Sequence, residues 1–198
     1  MINLYIDFDG VLVDTINETY KMIGELGIDL KDTAKVFEFY KNLDWNKVLS
    51  NTKEINNAFK NIELLEASKI YKPYILTTVN SLQEMQAKVS YIRSKNKNIS
   101  VICVPKGVEK SSVVNASNSI LVDDFGGNLR SWSQNGGLGI KFTNEYSDSF
   151  ITIKSLNELM NCSFIEKIIE TLEETNKAFL SEKIYQPTLK KRGIVPNC

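Results

Sequence analysis

Five short apolar runs, separated by stretches of helical periodicity, restrict this chain to few architectures. They are residues 2–6, 74–77, 99–104, 119–122 and 138–142. Between them, apolar positions recur every three to four residues. Ser81–Ser94 is one such stretch, with Asn80 or Ser81 as its expected cap. Further helices are expected at 16–27, 62–71 (stopping before Pro73), 110–116, 126–134 and 156–180, the last broken near Cys162. Strands alternating with helices of this length predict an α/β fold, a doubly wound parallel sheet. The first connection is too long for a simple crossover. Its residues 16–61 read as a small helical cap, with Phe37, Tyr40, Trp45, Val48 and Phe59 as apolar elements. The core domain is then expected from 1–15 and 62–180, and 181–198 as a C-terminal tail.

Ligands of an open parallel sheet bind at the carboxyl ends of its strands. The first run ends in Asp7-Phe8-Asp9-Gly10, and the fourth in Asp123-Asp124. Four carboxylates brought near one crevice repel one another unless a cation sits between them. The chain has no histidine, which excludes Ser-His-Asp, Cys-His and His-zinc chemistry. Cys103, Cys162 and Cys198 form no CxxC pair. A hard, oxygen-bound ion is left, and Mg²⁺ fits best.

The 24 basic and 24 acidic side chains cancel, so no global field favours a nucleic acid polymer or a membrane. No apolar run approaches the ~20 residues that a membrane span needs. The start of the chain lacks a basic segment followed by an apolar one. With an odd number of cysteines, this leads to the expectation of a reducing, cytoplasmic setting.

Asp7-Phe8-Asp9-Gly10-Val11-Leu12-Val13-Asp14 resembles the first motif of the haloacid dehalogenase superfamily. Tyr74-Ile75-Leu76-Thr77-Thr78 is similar to the second, and Ile120-Leu121-Val122-Asp123-Asp124 to the fourth. The third is a lysine upstream of the last acidic strand. Lys106 and Lys110 both qualify, and Lys110-Ser111-Ser112-Val113-Val114 better resembles the 5'(3')-deoxyribonucleotidase family. That family also shares the DGVLVD form of the first motif, the Thr77-Thr78 pair and a small helical cap. Asn128 matches a position that ties down its last acidic loop.

The resemblance implies a Mg²⁺-dependent phosphomonoester hydrolase of HAD type. Asp7 would attack phosphorus, and Asp9 would handle the proton. Thr77, Thr78 and Lys110 would bind phosphate. Asp7, Asp9 (through its carbonyl), Asp123 and Asp124 would hold the metal. An ionised carboxylate needs no activating base, so Asp7 suits the role. Asp9 favours phosphoryl transfer over dehalogenation, which needs no such proton donor. The implied substrate is a small phosphorylated molecule, with a nucleoside monophosphate preferred. A sugar phosphate or other small metabolite is the alternative, and a non-catalytic binding module on the same fold is the rival.

Plainer readings stand beside these. Asp14 reads as a helix N-cap. Trp132 and Leu129 share a helical face that suits a core. Without context, Lys106 and Lys110 are solvated lysines. Cys103 cannot serve a cysteine-phosphatase loop, because position 109 is Glu where Arg is required.

Overall fold

The computed structural model describes residues 1–191. Its centre is a six-stranded sheet in which every recorded pairing is parallel. The strands are Ile2–Ile6 (β1), Tyr71–Val79 (β2), Ser100–Pro105 (β3), Ser119–Asp123 (β4), Leu138–Phe142 (β5) and Ile151–Ile153 (β6), in spatial order β3-β2-β1-β4-β5-β6. Parallel neighbours require crossovers, and helices supply most of them. Leu82–Lys95 (α5) joins β2 to β3, Lys110–Val113 (α6) joins β3 to β4, and Gly126–Gln134 (α7) joins β4 to β5. Four helices lie between β1 and β2: Thr15–Glu25 (α1), Thr33–Lys41 (α2), Trp45–Asn51 (α3) and Ala58–Ala67 (α4). A 3-10 turn, Leu156–Met160, precedes the last helix, Cys162–Lys191 (α8).

Both faces of the sheet are covered, so its strands are apolar on both sides. Leu4 and Ile6 of β1, Ile75 of β2, and Ile120 and Val122 of β4 enter one core. That core also takes Val48, Phe59, Ile62 and Leu65 from α3 and α4, and Ile168 and Leu172 from α8. The alternate residues Tyr5, Leu76 and Leu121 enter a second, smaller core with Leu129 and Trp132 of α7. Tyr5 stacks on Tyr74 and meets Trp132 edge-on, with ring centroids 5.1 and 5.2 Å apart.

Several elements depart from the sequence expectation. β2 is longer than 74–77 and contains Pro73, which pairs with Leu4 of β1. Pairing with β3 begins only at Tyr74, so the prolyl nitrogen faces the open side of the strand, where no donor is needed. β6, only three residues long, has no periodicity to betray it. The stretch expected as one broken helix from 156 is a 3-10 turn followed by α8. That helix passes residue 180 because no glycine or proline stands between Leu180 and Pro187. Residues 192–198 of the expected tail, including Arg192, Pro196 and Cys198, lie outside the described residues. Among the described residues, no helix is long and apolar enough to cross a membrane.

Candidate active site

β1 and β4 are neighbours at the middle of the sheet, and their register aligns Ile6 with Val122. The residues that follow, Asp7 and Asp123, therefore emerge side by side, with the Asp7 N–H donating to the Val122 carbonyl at 2.9 Å. From β1 the chain moves one way to β2, and β4 lies on the other side. This is the point at which ligands enter such sheets. A tight loop follows Asp7, with Leu12 and Val13 N–H groups donating to the Phe8 carbonyl and Gly10 N–H to Val13. Gly10 takes φ +70°, and a Cβ there would lie 2.6 Å from Asp124 Oδ2.

Carboxylate oxygens of Asp7, Asp123 and Asp124 all lie within 4.8 Å of one another. Lys110 Nζ sits 2.8 Å from Asp7 Oδ1 and 2.7 Å from Asp123 Oδ2. The contact with Asp7 is an ion pair rather than a well-directed hydrogen bond. Asp123 is fully buried, and both its oxygens are engaged. Oδ1 accepts from the Phe125 N–H at 2.8 Å, and Oδ2 accepts from Asn128 Nδ2 at 2.9 Å as well as from Lys110. Asp124 is partly exposed.

Burial pushes Asp7 up to about 7, a rise that Lys110 opposes and that Asp123 and Asp9 reinforce. Burial also raises Asp124 to about 6, helped by Asp123 and Asp9. Burial alone would lower Lys110; its two carboxylate partners outweigh that and hold it above the ordinary lysine value. The group as a whole carries more negative than positive charge at close range. Its free donors are all oxygen, which suits a hard divalent cation such as Mg²⁺.

Asp9 points elsewhere. Its carboxylate is absent from the three-acid cluster. Oδ1 accepts from Thr15 Oγ1 at 2.7 Å, and Oδ2 from Lys88 Nζ at 2.5 Å. Thr77, at the tip of β2, is fully buried, with its hydroxyl 3.5 Å from both Asp9 Oδ2 and Lys88 Nζ. Asp9 and Thr78 line a cavity of about 270 Å³ together with Thr15, Thr19, Tyr40, Trp45, Asn80 and Lys106. Hollows of about 440, 470 and 530 Å³ exist elsewhere, but none of them is lined by these carboxylates.

Of the two candidate lysines, Lys110 lies between Asp7 and Asp123, whereas Lys106 is exposed at the cavity mouth. Asp14 stands at the N-cap of α1 but makes no cap hydrogen bond; its Oδ2 accepts from Asn17 at 3.1 Å. Phe37 is exposed and lines no wall of the 270 Å³ cavity. Sequence reading missed Thr15, Glu84 and Lys88. The signal for the last two was present: both fall on the stripe of α5 that buries Ala87 and Ile92, where a solvated pair has no place.

Solved structures share this architecture. A subfamily IA HAD-superfamily hydrolase from Geobacter sulfurreducens superposes with a TM-score of 0.55 at 11% identity, covering 81% of this chain and 98% of that one. A haloacid dehalogenase-like hydrolase from Streptococcus pneumoniae gives 0.58 at 12% identity over 81% and 97%. A HAD phosphatase from Thermococcus onnurineus gives 0.54 at 12% over 80% and 96%. No family model matches the sequence, and neither does any curated protein. The fold is therefore that of the haloacid dehalogenase-type hydrolases, an α/β sheet flanked by helices on both faces.

Proposed function

We propose that this chain is a Mg²⁺-dependent phosphomonoester hydrolase working through an aspartyl phosphate on Asp7. One observation carries the reading: at adjacent strand tips, three carboxylates crowd within 4.8 Å, and a buried lysine bridges two of them. A purely structural ion pair has no need of the third acid. A binding module would have little use for Asp9 at the cavity wall.

Asp7 and Asp124 would hold the ion through their carboxylates and Asp9 through its backbone carbonyl, with Asp123 completing the acid set from beneath. Asp124 is the freer of the pair, because both oxygens of Asp123 are engaged. When bound, Mg²⁺ would offset charge on the phosphoryl oxygens and favour ionised Asp7. Asp7 attacks phosphorus as the leaving oxygen departs. Asp9, entering the cycle protonated, gives its proton to that oxygen and becomes the carboxylate that Lys88 pairs. It then takes a proton from the water that attacks the aspartyl phosphate, which frees phosphate and restores the Asp7 carboxylate. Lys110 balances charge at the nucleophile. Thr78 from the cavity wall completes the phosphoryl pocket, while the buried Thr77 hydroxyl is turned to Asp9 and Lys88.

The helices of residues 16–61 act in this reading as a small cap that supplies Tyr40 and Trp45 to the leaving-group side. Those two rings support a nucleoside monophosphate as substrate. The hydroxyls of Thr15 and Thr19 and the Asn80 amide on the same wall favour a sugar phosphate as the second reading. A phosphate-release panel spanning nucleotides and sugar phosphates separates the two. In the same assay, Asp7→Asn should lower turnover at least about 10³-fold while leaving the fold intact. Chelation should stop turnover, and Mg²⁺ should restore it. Wild-type rates from Asp7→Asn, or full activity in chelator, would refute the mechanism.

A further inference from the structure

Lys88 enters the mechanism above only as the partner of Asp9, yet its position demands a reason. It is fully buried on α5, and withdrawing an ammonium from water is expensive unless its partners repay it. Its shortest contacts give each of its three N–H groups an acceptor, Asp9 Oδ2 at 2.5 Å, Glu84 Oε1 at 2.7 Å and the Thr78 carbonyl at 3.0 Å, with the Thr77 hydroxyl further off at 3.5 Å. The rings of Trp45 and Phe8 close the remaining sides, with centroids 4.7 and 5.7 Å from Nζ. Glu84 is equally buried and is itself fixed. Its Oε2 accepts from the Asn80 N–H at 2.8 Å and from Asn80 Nδ2 at 2.9 Å. A continuous chain of contacts thus runs from the start of α5 through Glu84 and Lys88 to one oxygen of Asp9.

We infer that Lys88 is a positioning residue for leaving-group protonation. Resting on the hydrolase reading, its task is to hold the Asp9 carboxylate at the cavity wall and apart from the Asp7, Asp123 and Asp124 group. Asp9 is held by Thr15 on Oδ1 and, on Oδ2, by Lys88, with the Thr77 hydroxyl a longer contact to that same oxygen at 3.5 Å. Of these holds, only the one from Lys88 is ionic and backed by a further buried charge. Lys88 has no surface of its own, so it reaches the reaction only through Asp9 and the tip of β2. If the Glu84–Lys88 pair served stability alone, it could close on itself without the third contact.

The test compares two classes of ester by kcat/KM, which spans the steps up to departure of the leaving group. An alkyl alkoxide needs a proton as it leaves, whereas p-nitrophenolate departs as a stable anion. Lys88→Met should lower kcat/KM roughly 10²-fold on an alkyl phosphate that the wild type hydrolyses, and less than about fivefold on p-nitrophenyl phosphate. Asp9→Asn should show the same discrimination, and adding Lys88→Met to it should lower kcat/KM little further. Lys88→Met strands Glu84, so the paired variant Lys88→Met/Glu84→Gln is measured alongside it, with thermal melting to verify folding. Equal loss on both esters, or no loss, overturns the assignment of Lys88 while leaving the hydrolase reading standing. A wild type inactive on every ester overturns both. Independently of activity, a crystal structure of the paired variant with Asp9 in its original place would also overturn the assignment.

Discussion

Gly10 is the glycine at which a single added atom would reach the acidic cluster. It lies in the left-handed region at φ +70°, and a Cβ there would fall 2.6 Å from Asp124 Oδ2 and 3.0 Å from its Cγ. An L-residue would meet both backbone strain and a displaced carboxylate. Gly10→Ala should therefore cost about 1–3 kcal/mol of stability and weaken Mg²⁺ binding. Urea unfolding and calorimetric titration with MgCl₂ check the two effects; unchanged affinity would mean that Asp124 is not a ligand. The carboxylates also set a pH dependence. Burial raises Asp7 to about 7 and Asp124 to about 6, so the metal-free folded chain keeps protons that the unfolded chain sheds near its ordinary carboxyl value. The stability these two groups lend is full at acid pH and is lost as pH rises through about 6 to 7. Mg²⁺ competes for the same oxygens. Its upward shift in melting temperature should be small near pH 5 and clearly larger near pH 8. A shift independent of pH would contradict this linkage.

At the scale of elements, the site depends on how α7 is fastened to β4. Asp123 accepts from the Phe125 N–H just before the helix and from Asn128 within its first turn, at 2.8 and 2.9 Å. Asn128→Ala should cost about 1–2 kcal/mol in urea unfolding and loosen the acidic loop. A loss below the error of the measurement would show that the Phe125 N–H and Lys110 hold the loop unaided. The same scale shows what the sequence could and could not disclose. β1 and β4 were legible because each is a continuous apolar run ending in acids, the mark of a strand buried on both faces. That Asn128 fastens the acidic loop was implied by the family resemblance; that its partner there is Asp123 only the structure discloses. β2 was legible only in part, since Pro73 looks like a boundary until β3 is known to begin one residue further along. The ion pair at Glu84 and Lys88 escaped because, written in sequence, it is indistinguishable from an exposed i,i+4 pair. Only the stripe shared with Ala87 and Ile92 gives it away.

For the whole molecule, the alternation of side chains along β1 divides the interior in two. Leu4 and Ile6 face the side that carries α3, α4 and α8; Tyr5 faces the side that carries α7. The candidate site lies at one end of the sheet, where both sides and the helices between β1 and β2 meet. The four helices in that connection place Trp45 against Lys88, so the segment read from sequence as a cap is tied to the sheet through the same lysine that grips Asp9.

The division also separates the chain's two tryptophans. Trp132 is sealed in the smaller core beside Tyr5, and Trp45 lies against the Lys88 ammonium at the cavity wall. Each indole is therefore an optical probe of a different compartment. In Trp132→Phe, the emission that remains should respond to vanadate added with Mg²⁺. In Trp45→Phe, it should stay silent to the ligand and change only on global unfolding. Emission from Trp132 that tracked the ligand would mean that the two compartments communicate across the sheet.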